Sequence, residues 1–233
     1  MRPVGILGGM GPEATILLMQ KVLEAVPARD DADHIPLIVH QNPQVPSRIS
    51  ALIDGAGDDP GPVLERMTHD LERAGAQALA MPCNTAHHYA GAVRAASDLP
   101  FLDMLALTTA ALSAKGARRI GMLASPAVRQ VGIFAPHFES AGLVPVWTQD
   151  EAEMLAIIRS VKAGAQTGPL EPRLAALAQG MLRDGADHLL VACTELSLLT
   201  QALGPAEGWT DSLDCLVTGI TVFARGDDEA ALS

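Results

Sequence analysis

Two cysteines stand where their neighbours could turn a thiol into a reagent. Cys83 lies in Met81-Pro82-Cys83-Asn84-Thr85-Ala86-His87, and Cys193 in Ala192-Cys193-Thr194-Glu195-Leu196. Each follows an apolar run and precedes a helix-like segment. A cysteine beside an apolar run is ordinarily a small buried hydrophobe. Here polar residues follow both, and the N–H groups of a helix start favour thiolate. With an ordinary pKa of about 8.5, a modestly tuned thiol can take or give a proton near neutral pH. The same context twice is hard to explain by packing. It predicts two thiols that face one another across a small cleft and move a proton. Cys215 has no such context; it falls inside a helical pattern and reads as structural.

The elements that must position these thiols come in a repeating order. Val4-Gly5-Ile6-Leu7 reads as a strand, Gly8-Gly9-Met10-Gly11-Pro12 as a tight turn, and Ala14 to Val26 as a helix. The spacing is not GxGxxG, and no acidic residue ends a following strand at the distance a dinucleotide site needs. Pro36 to His40 is a second strand, and Gln41 to Arg48, with two prolines, a stiff loop. Asp54 to Pro62 is surface loop. Val63 to Ala74 is helix, with Val63, Leu64, Met67 and Leu71 on one face. Ala76 to Met81 is the strand that delivers Cys83, Ala86 to Ala96 the helix after it, and Phe101-Leu102 a fourth strand.

Near Lys115 the pattern restarts. Arg119 to Ala124 repeats the opening strand, and Pro126 sits at a helix start as Pro12 does. Leu143 to Trp147 is strand, Glu151 to Lys162 helix, and Leu170 to Asp184 helix. Ala186 to Cys193 then matches Ala76 to Cys83. Pro205 to Gly208 breaks the chain, Leu213 to Ala224 is a last helix, and Arg225 to Ser233 reads as frayed. A period with two copies means paired halves. Strands alternating with helices mean parallel α/β sheets whose working groups gather at strand carboxyl ends. The expected fold is therefore two similar parallel-sheet α/β domains related by a pseudo-twofold, with the active site in the cleft between them. The expected boundaries are 1–103 plus 210–233 for the first domain and 104–209 for the second.

Composition removes several functions. A net charge of -11 argues against a nucleic-acid partner. It leaves a small anionic substrate open, since one arginine in a cleft binds a carboxylate whatever the overall sign. Three cysteines make no disulfide framework, and none sits at zinc spacing with a histidine. The opening apolar run breaks at Gly8-Gly9, too soon for a signal-peptide core or a membrane span. The expectation is a cytoplasmic protein with no membrane partner and no metal.

Gly5-Ile6-Leu7-Gly8-Gly9-Met10-Gly11-Pro12 and the two cysteine motifs together resemble the aspartate/glutamate racemase superfamily, and within it the aspartate racemases. The resemblance runs in order along nearly the whole chain. It implies a cofactor-independent isomerase interconverting L- and D-aspartate, with glutamate as a further candidate. Cys83 and Cys193 would be the catalytic pair, one thiolate removing the α-proton and the other thiol returning a proton to the opposite face. Asn84, Thr85 and Thr194 would stabilise the developing negative charge, with Glu195 beside them and Met10 as a pocket wall. Asn42-Pro43-Gln44-Val45-Pro46-Ser47-Arg48 resembles a family loop whose arginine binds the substrate's side-chain carboxylate. Its usual aspartate is Ser47 here. Val161-Lys162-Ala163-Gly164 matches a segment that contributes Lys162. Asp103 and the Ala124 to Val128 turn depart from relatives in ways that bear on substrate choice. The resemblance also implies a homodimer and a place in D-amino acid metabolism. Alternatives in the same superfamily are a maleate isomerase and an arylmalonate-decarboxylase-like enzyme; a non-catalytic binder of acidic amino acids is a third.

Overall fold

Val4-Gly5-Ile6-Leu7-Gly8 carries no polar alternation, the mark of a strand covered on both faces, and all five residues are buried. This strand, β1, is central in a computed structural model that describes residues 1–53 and 55–226. The expected frayed tail therefore lies outside the described residues from 227 on, as does Asp54 of the expected surface loop. In chain order the elements are β1 (Val4–Gly8), α1 (Pro12–Glu24), β2 (Leu37–Gln41), α2 (Arg48–Leu52), α3 (Gly61–Arg73), β3 (Ala78–Ala80), α4 (Ala90–Ala96), β4 (Phe101–Leu102) and α5 (Met104–Ala114). They continue as β5 (Arg119–Leu123), α6 (Pro126–Val131), α7 (Ala135–Ala141), β6 (Val144–Val146), α8 (Glu151–Lys162), α9 (Glu171–Arg183), β7 (His188–Val191), β8 (Trp209–Asp211) and α10 (Ser212–Arg225).

The chain divides into two units, Met1–Met104 with Leu213–Ser233, and Leu105–Ser212. The first holds a sheet in the order β2-β1-β3-β4 and the second a sheet in the order β6-β5-β7-β8. Every pairing in both is parallel. The order is the same in each, so β3 and β7 are equivalent strands beside the strand that opens each unit. α10 returns to the first unit, where Lys21 meets Asp214 at 2.5 Å and the Arg2 guanidinium lies 3.8 Å from the Phe223 ring centroid.

The duplication extends to packing. A Cβ on Gly5 would meet Ala76, Leu71 and Leu79, and one on Gly121 would meet Ala186, Met181 and Leu189. Each pair of contacts is separated by the same sequence offset that separates Cys83 from Cys193. The closest approaches would be 2.9 Å and 2.7 Å. Glycine at both places lets the helix before the cysteine strand lie directly on the sheet. The buried faces of those helices are Leu64, Met67 and Leu71 on α3, and Leu174, Ala178 and Met181 on α9.

The expected elements are present, with differences at their joints. The segment expected as one helix from Ala86 is a 3-10 helix, Thr85–Tyr89, followed by α4. The segment after Cys193 is likewise 3-10, Leu196–Leu203. The helix-like segment expected after each thiol is thus present with 3-10 geometry. His87 N bonds to Asn84 O and Leu196 N to Cys193 O, i+3 patterns that close the chain within one tight turn. β8 was not expected; its three residues follow a break at Pro205 and are too few for a periodic signal. α2 begins within the loop that two prolines marked as irregular, capped by Ser47 Oγ, which accepts from Ser50 N at 3.3 Å. Serine and aspartate cap helices about equally well, so the serine at this place serves the helix start as an aspartate would. Among the described residues no helix is long and apolar enough to cross a membrane.

Two predictions follow from this frame. Gly9 has φ +91 and a Cβ there would lie 2.3 Å from the Asn42 backbone. Gly9→Ala should cost about 2–4 kcal/mol, combining a left-handed conformation with a main-chain clash; urea unfolding would measure it, and a change under about 0.5 kcal/mol refutes the close approach. His188 is buried at the start of β7, with Nε2 2.8 Å from Thr210 Oγ1 on β8. Its pKa is lowered first by burial, then by Lys115, with Asp187 and the Trp209 backbone opposing. The unfolded chain therefore binds this proton more readily than the fold does, so stability falls as pH drops below about 6.5. Comparing unfolding at pH 7 and pH 5, His188→Gln should show a shallower loss than the native chain.

Candidate active site

In the first unit the candidate residues gather at the carboxyl ends of β1, β2 and β3. Because the chain leaves β1 for β2 on one side and returns to β3 on the other, the ends of β1 and β3 form the topological switch point, where α/β sheets hold ligands. The turn after β1 is fixed by Thr15, whose Oγ1 accepts from Gly9 N at 2.9 Å and donates to Gly11 O at 3.2 Å. Met10, buried in this turn, shares one apolar cluster with Val45, Met81 and Cys83. The loop after β2 is tied to the same turn, with Asn42 N donating to Gly8 O at 3.2 Å. Asn42 Oδ1 accepts from Gln44 N at 3.0 Å, which bends the loop towards Arg48.

Arg48 is half-buried and held by its own loop. Its Nη1 donates to Val45 O at 3.2 Å and Pro46 O at 2.8 Å. Its Nε is buried and makes no hydrogen bond. A guanidinium anchored on one side, with a buried N–H to place, suits a planar oxyanion. Tyr89 lies within the field of Arg48. Burial raises the phenol pKa, Asp59 adds to this, and Arg48 opposes it, so the hydroxyl stays protonated at neutral pH. Tyr89 was not singled out from sequence, although it is the single tyrosine of the chain and closes the 3-10 turn after Cys83.

Cys83 is 7% exposed and Asn84 is buried beside it, with Thr85 half-buried. His87 holds this turn from behind. Met104 N donates to His87 Nε2 at 3.3 Å, which makes Nε2 the acceptor and Nδ1 the protonated nitrogen. Nδ1 then donates to Cys83 O at 2.9 Å. The ring bridges two backbone segments, and Phe101 packs against it at 5.5 Å. His87 is thus a structural clamp on the cysteine turn. Asp103 pairs with Arg94 at 2.5 Å.

In the second unit Cys193 is 6% exposed at the end of β7, with Thr194 and Glu195 buried after it. Its Sγ donates to Glu195 Oε2 at 3.0 Å. Glu195 Oε1 accepts from Lys162 Nζ, at the last residue of α8. The expected lysine and glutamate are therefore brought together with the expected cysteine. Ser197 Oγ donates to Asp211 Oδ1 at 3.0 Å, at the end of β8. Ser125, in the turn that replaces the glycine-rich one of the first unit, caps α6 by accepting from Ala127 N. Cys215 is buried in α10. Among the described residues no three His, Cys, Asp or Glu side chains are grouped to hold a metal ion.

Each unit thus carries a thiol just beyond an equivalent strand and a basic candidate, Arg48 in the first and Lys162 in the second. Comparison with known proteins gives this arrangement a family. The model of the family described as Asp/Glu/hydantoin racemase matches residues 7–220. The broad specificity amino-acid racemase RacX of Bacillus subtilis (strain 168) is 24% identical over 221 residues, which cover 91% of this chain and 94% of that protein. The structure of Picrophilus torridus aspartate racemase is similar with a TM-score of 0.88 at 26% identity, covering 97% of this chain and 95% of that one. An aspartate racemase homologue from Pyrococcus horikoshii OT3 shares the fold, with a TM-score of 0.75 at 21% identity over 97% of this chain and 100% of that one. Matched over nearly its whole length, the chain belongs to the Asp/Glu/hydantoin racemase family and is an amino-acid racemase, an isomerase.

Proposed function

We propose that this racemase interconverts L- and D-aspartate, and also accepts glutamate, by proton transfer between the α-carbon and two cysteines, without a cofactor. The observation that carries this reading is the equivalence of Cys83 and Cys193: each lies buried just beyond the same strand of a duplicated sheet. Racemisation needs two groups that can each exist with or without the proton, one for each face of a planar carbanion. A thiolate removes the α-proton, the electron pair stays on carbon, and the opposing thiol delivers its proton to the other face. The sulfurs finish in exchanged protonation states, and the reverse reaction starts from there. No atom of the substrate becomes bound to the protein.

The α-proton is a weak acid, so the developing charge must meet donors that are already in place. Asn84, Thr85 and Thr194, each next to a cysteine or one residue further on, fill that role in this reading. Support for an acidic substrate comes from Arg48, whose anchored guanidinium and buried Nε fit a side-chain carboxylate. Lys162 would add a second cation, since an ammonium carries three donors and can serve both Glu195 and a substrate. Met10 forms part of the pocket wall. The activities of the relatives differ in breadth, from aspartate to broad specificity, and Arg48 favours the acidic end. A homodimer and a role in D-amino acid metabolism belong to the same reading.

In heavy water either enantiomer of aspartate should racemise with deuterium appearing at the α-carbon, and failure to exchange with any acidic amino acid would sink the reading. Cys83→Ala and Cys193→Ala should each lower racemisation by about three orders of magnitude, because one base cannot serve two faces. If either variant keeps near-native rates, the two-base scheme is wrong. Arg48→Met should lower kcat/KM for aspartate by about 30- to 150-fold, the weight of a hydrogen bond to a charged group. An equal loss on alanine would remove Arg48 from the recognition of the side-chain carboxylate.

A further inference from the structure

The two cysteine turns are duplicates in position but not in chemistry. The residue two places after Cys83 is Thr85, a hydroxyl; the residue two places after Cys193 is Glu195, a carboxylate. Cys193 Sγ donates to Glu195 Oε2 at 3.0 Å, and the other carboxylate oxygen accepts from Lys162. Glu195 is 6% exposed, so little water shields this contact. In this contact the sulfur is the donor and the carboxylate, whose other oxygen is held by the Lys162 ammonium, is the acceptor. A carboxylate beside the sulfur also opposes a second negative charge there. Glu195, on the thiol's own turn, meets it directly, and Lys162 at the end of α8 meets the other oxygen of that carboxylate. Asp211, at the end of β8, is engaged by Ser197.

We infer that Glu195 is a positioning residue for Cys193: held by Lys162, it keeps the proton on the Cys193 sulfur, so that the resting enzyme carries Cys193 as proton donor and leaves the thiolate role to Cys83. The enzyme then starts from one defined protonation state. The enantiomer whose α-proton faces Cys83 is deprotonated without a preceding proton shift. The other enantiomer first requires Cys193 to give up its proton. This rests on the reading that Cys193 is one of two proton-transfer groups.

The test reads thiol reactivity and needs no turnover, so its failure is distinct from a failure to racemise. The intact enzyme, Glu195→Gln and Lys162→Met would each be treated with iodoacetamide at pH 7, with alkylation of each cysteine followed by peptide mass spectrometry. Only thiolate reacts. Glu195→Gln should speed alkylation of Cys193 about tenfold, as expected for losing one hydrogen bond to a charged acceptor, and leave Cys83 within about twofold. Lys162→Met removes the cation that compensates the carboxylate and should slow Cys193 several-fold. A merely loosened turn would speed Cys193 in both variants, so opposite signs separate positioning from structure. Any other pattern overturns the inference. If Glu195→Gln does not fold, the sign of the Lys162→Met effect decides alone.

Discussion

A parallel sheet covered by helices on both faces satisfies its backbone polar groups within the ladder, and it can present chemistry only where the strands end. Everything functional in this racemase answers to that constraint. β1, β3 and β7 are buried throughout and β5 from Ile120 onwards, and apart from Arg119 and His188, each opening a strand, they are apolar. Beyond β3, β5 and β7 the first thiol or polar side chain comes two or three residues later, at Cys83, Ser125 and Cys193. Cys83, Asn84, Cys193, Thr194 and Glu195 are all buried and yet all lie beyond a strand end. Glycine at positions 5 and 121 lets the preceding helices press onto the sheets, which fixes where the turns that carry those residues begin.

The duplicated frame carries unequal chemistry. Four positions after each cysteine stands a residue that ties the turn to the segment following the fourth strand or ending it. His87 does this through Met104 N, and Ser197 through Asp211. The task is the same and the means differ. Two positions after each cysteine, the means and the task both differ, since Thr85 has a hydroxyl where Glu195 has a carboxylate on the neighbouring thiol. Duplication thus preserves the location of the sulfur while its surroundings diverge.

Most of this was legible in the sequence, for a physical reason. A fully buried strand writes itself as an unbroken apolar run, and an amphipathic helix as a stripe at helical spacing; α8 was read from its residues with the bounds it has. Short elements carry no period, which is why β8 and α2 were not found. The 3-10 turns after the cysteines were hidden because contacts between distant residues tie them down, His87 with Met104 in one unit and Ser197 with Asp211 in the other. The partnership of Lys162 with Glu195 was hidden for the same reason: sequence named both residues, but only the fold brings α8 and the end of β7 together. Tyr89 was missed because an aromatic after a motif looks like core, and its proximity to Arg48 is a tertiary fact.

Arg48 is oriented by the carbonyls of Val45 and Pro46, members of its own loop, and that loop leans on Gly8 and Gly9 through backbone contacts alone. The group suited to meet a substrate's side chain is therefore set by a contiguous stretch of seven residues. Its side chains touch the rest of the first unit at few described points: Val45 in the apolar cluster, Asn42 on Met67 of α3, and Ser47 at the cap of α2. Such a segment is a natural unit of exchange. A lineage could revise which side chain the enzyme prefers by rewriting Asn42 to Arg48, while the sulfurs and the sheets that hold them stay as they are.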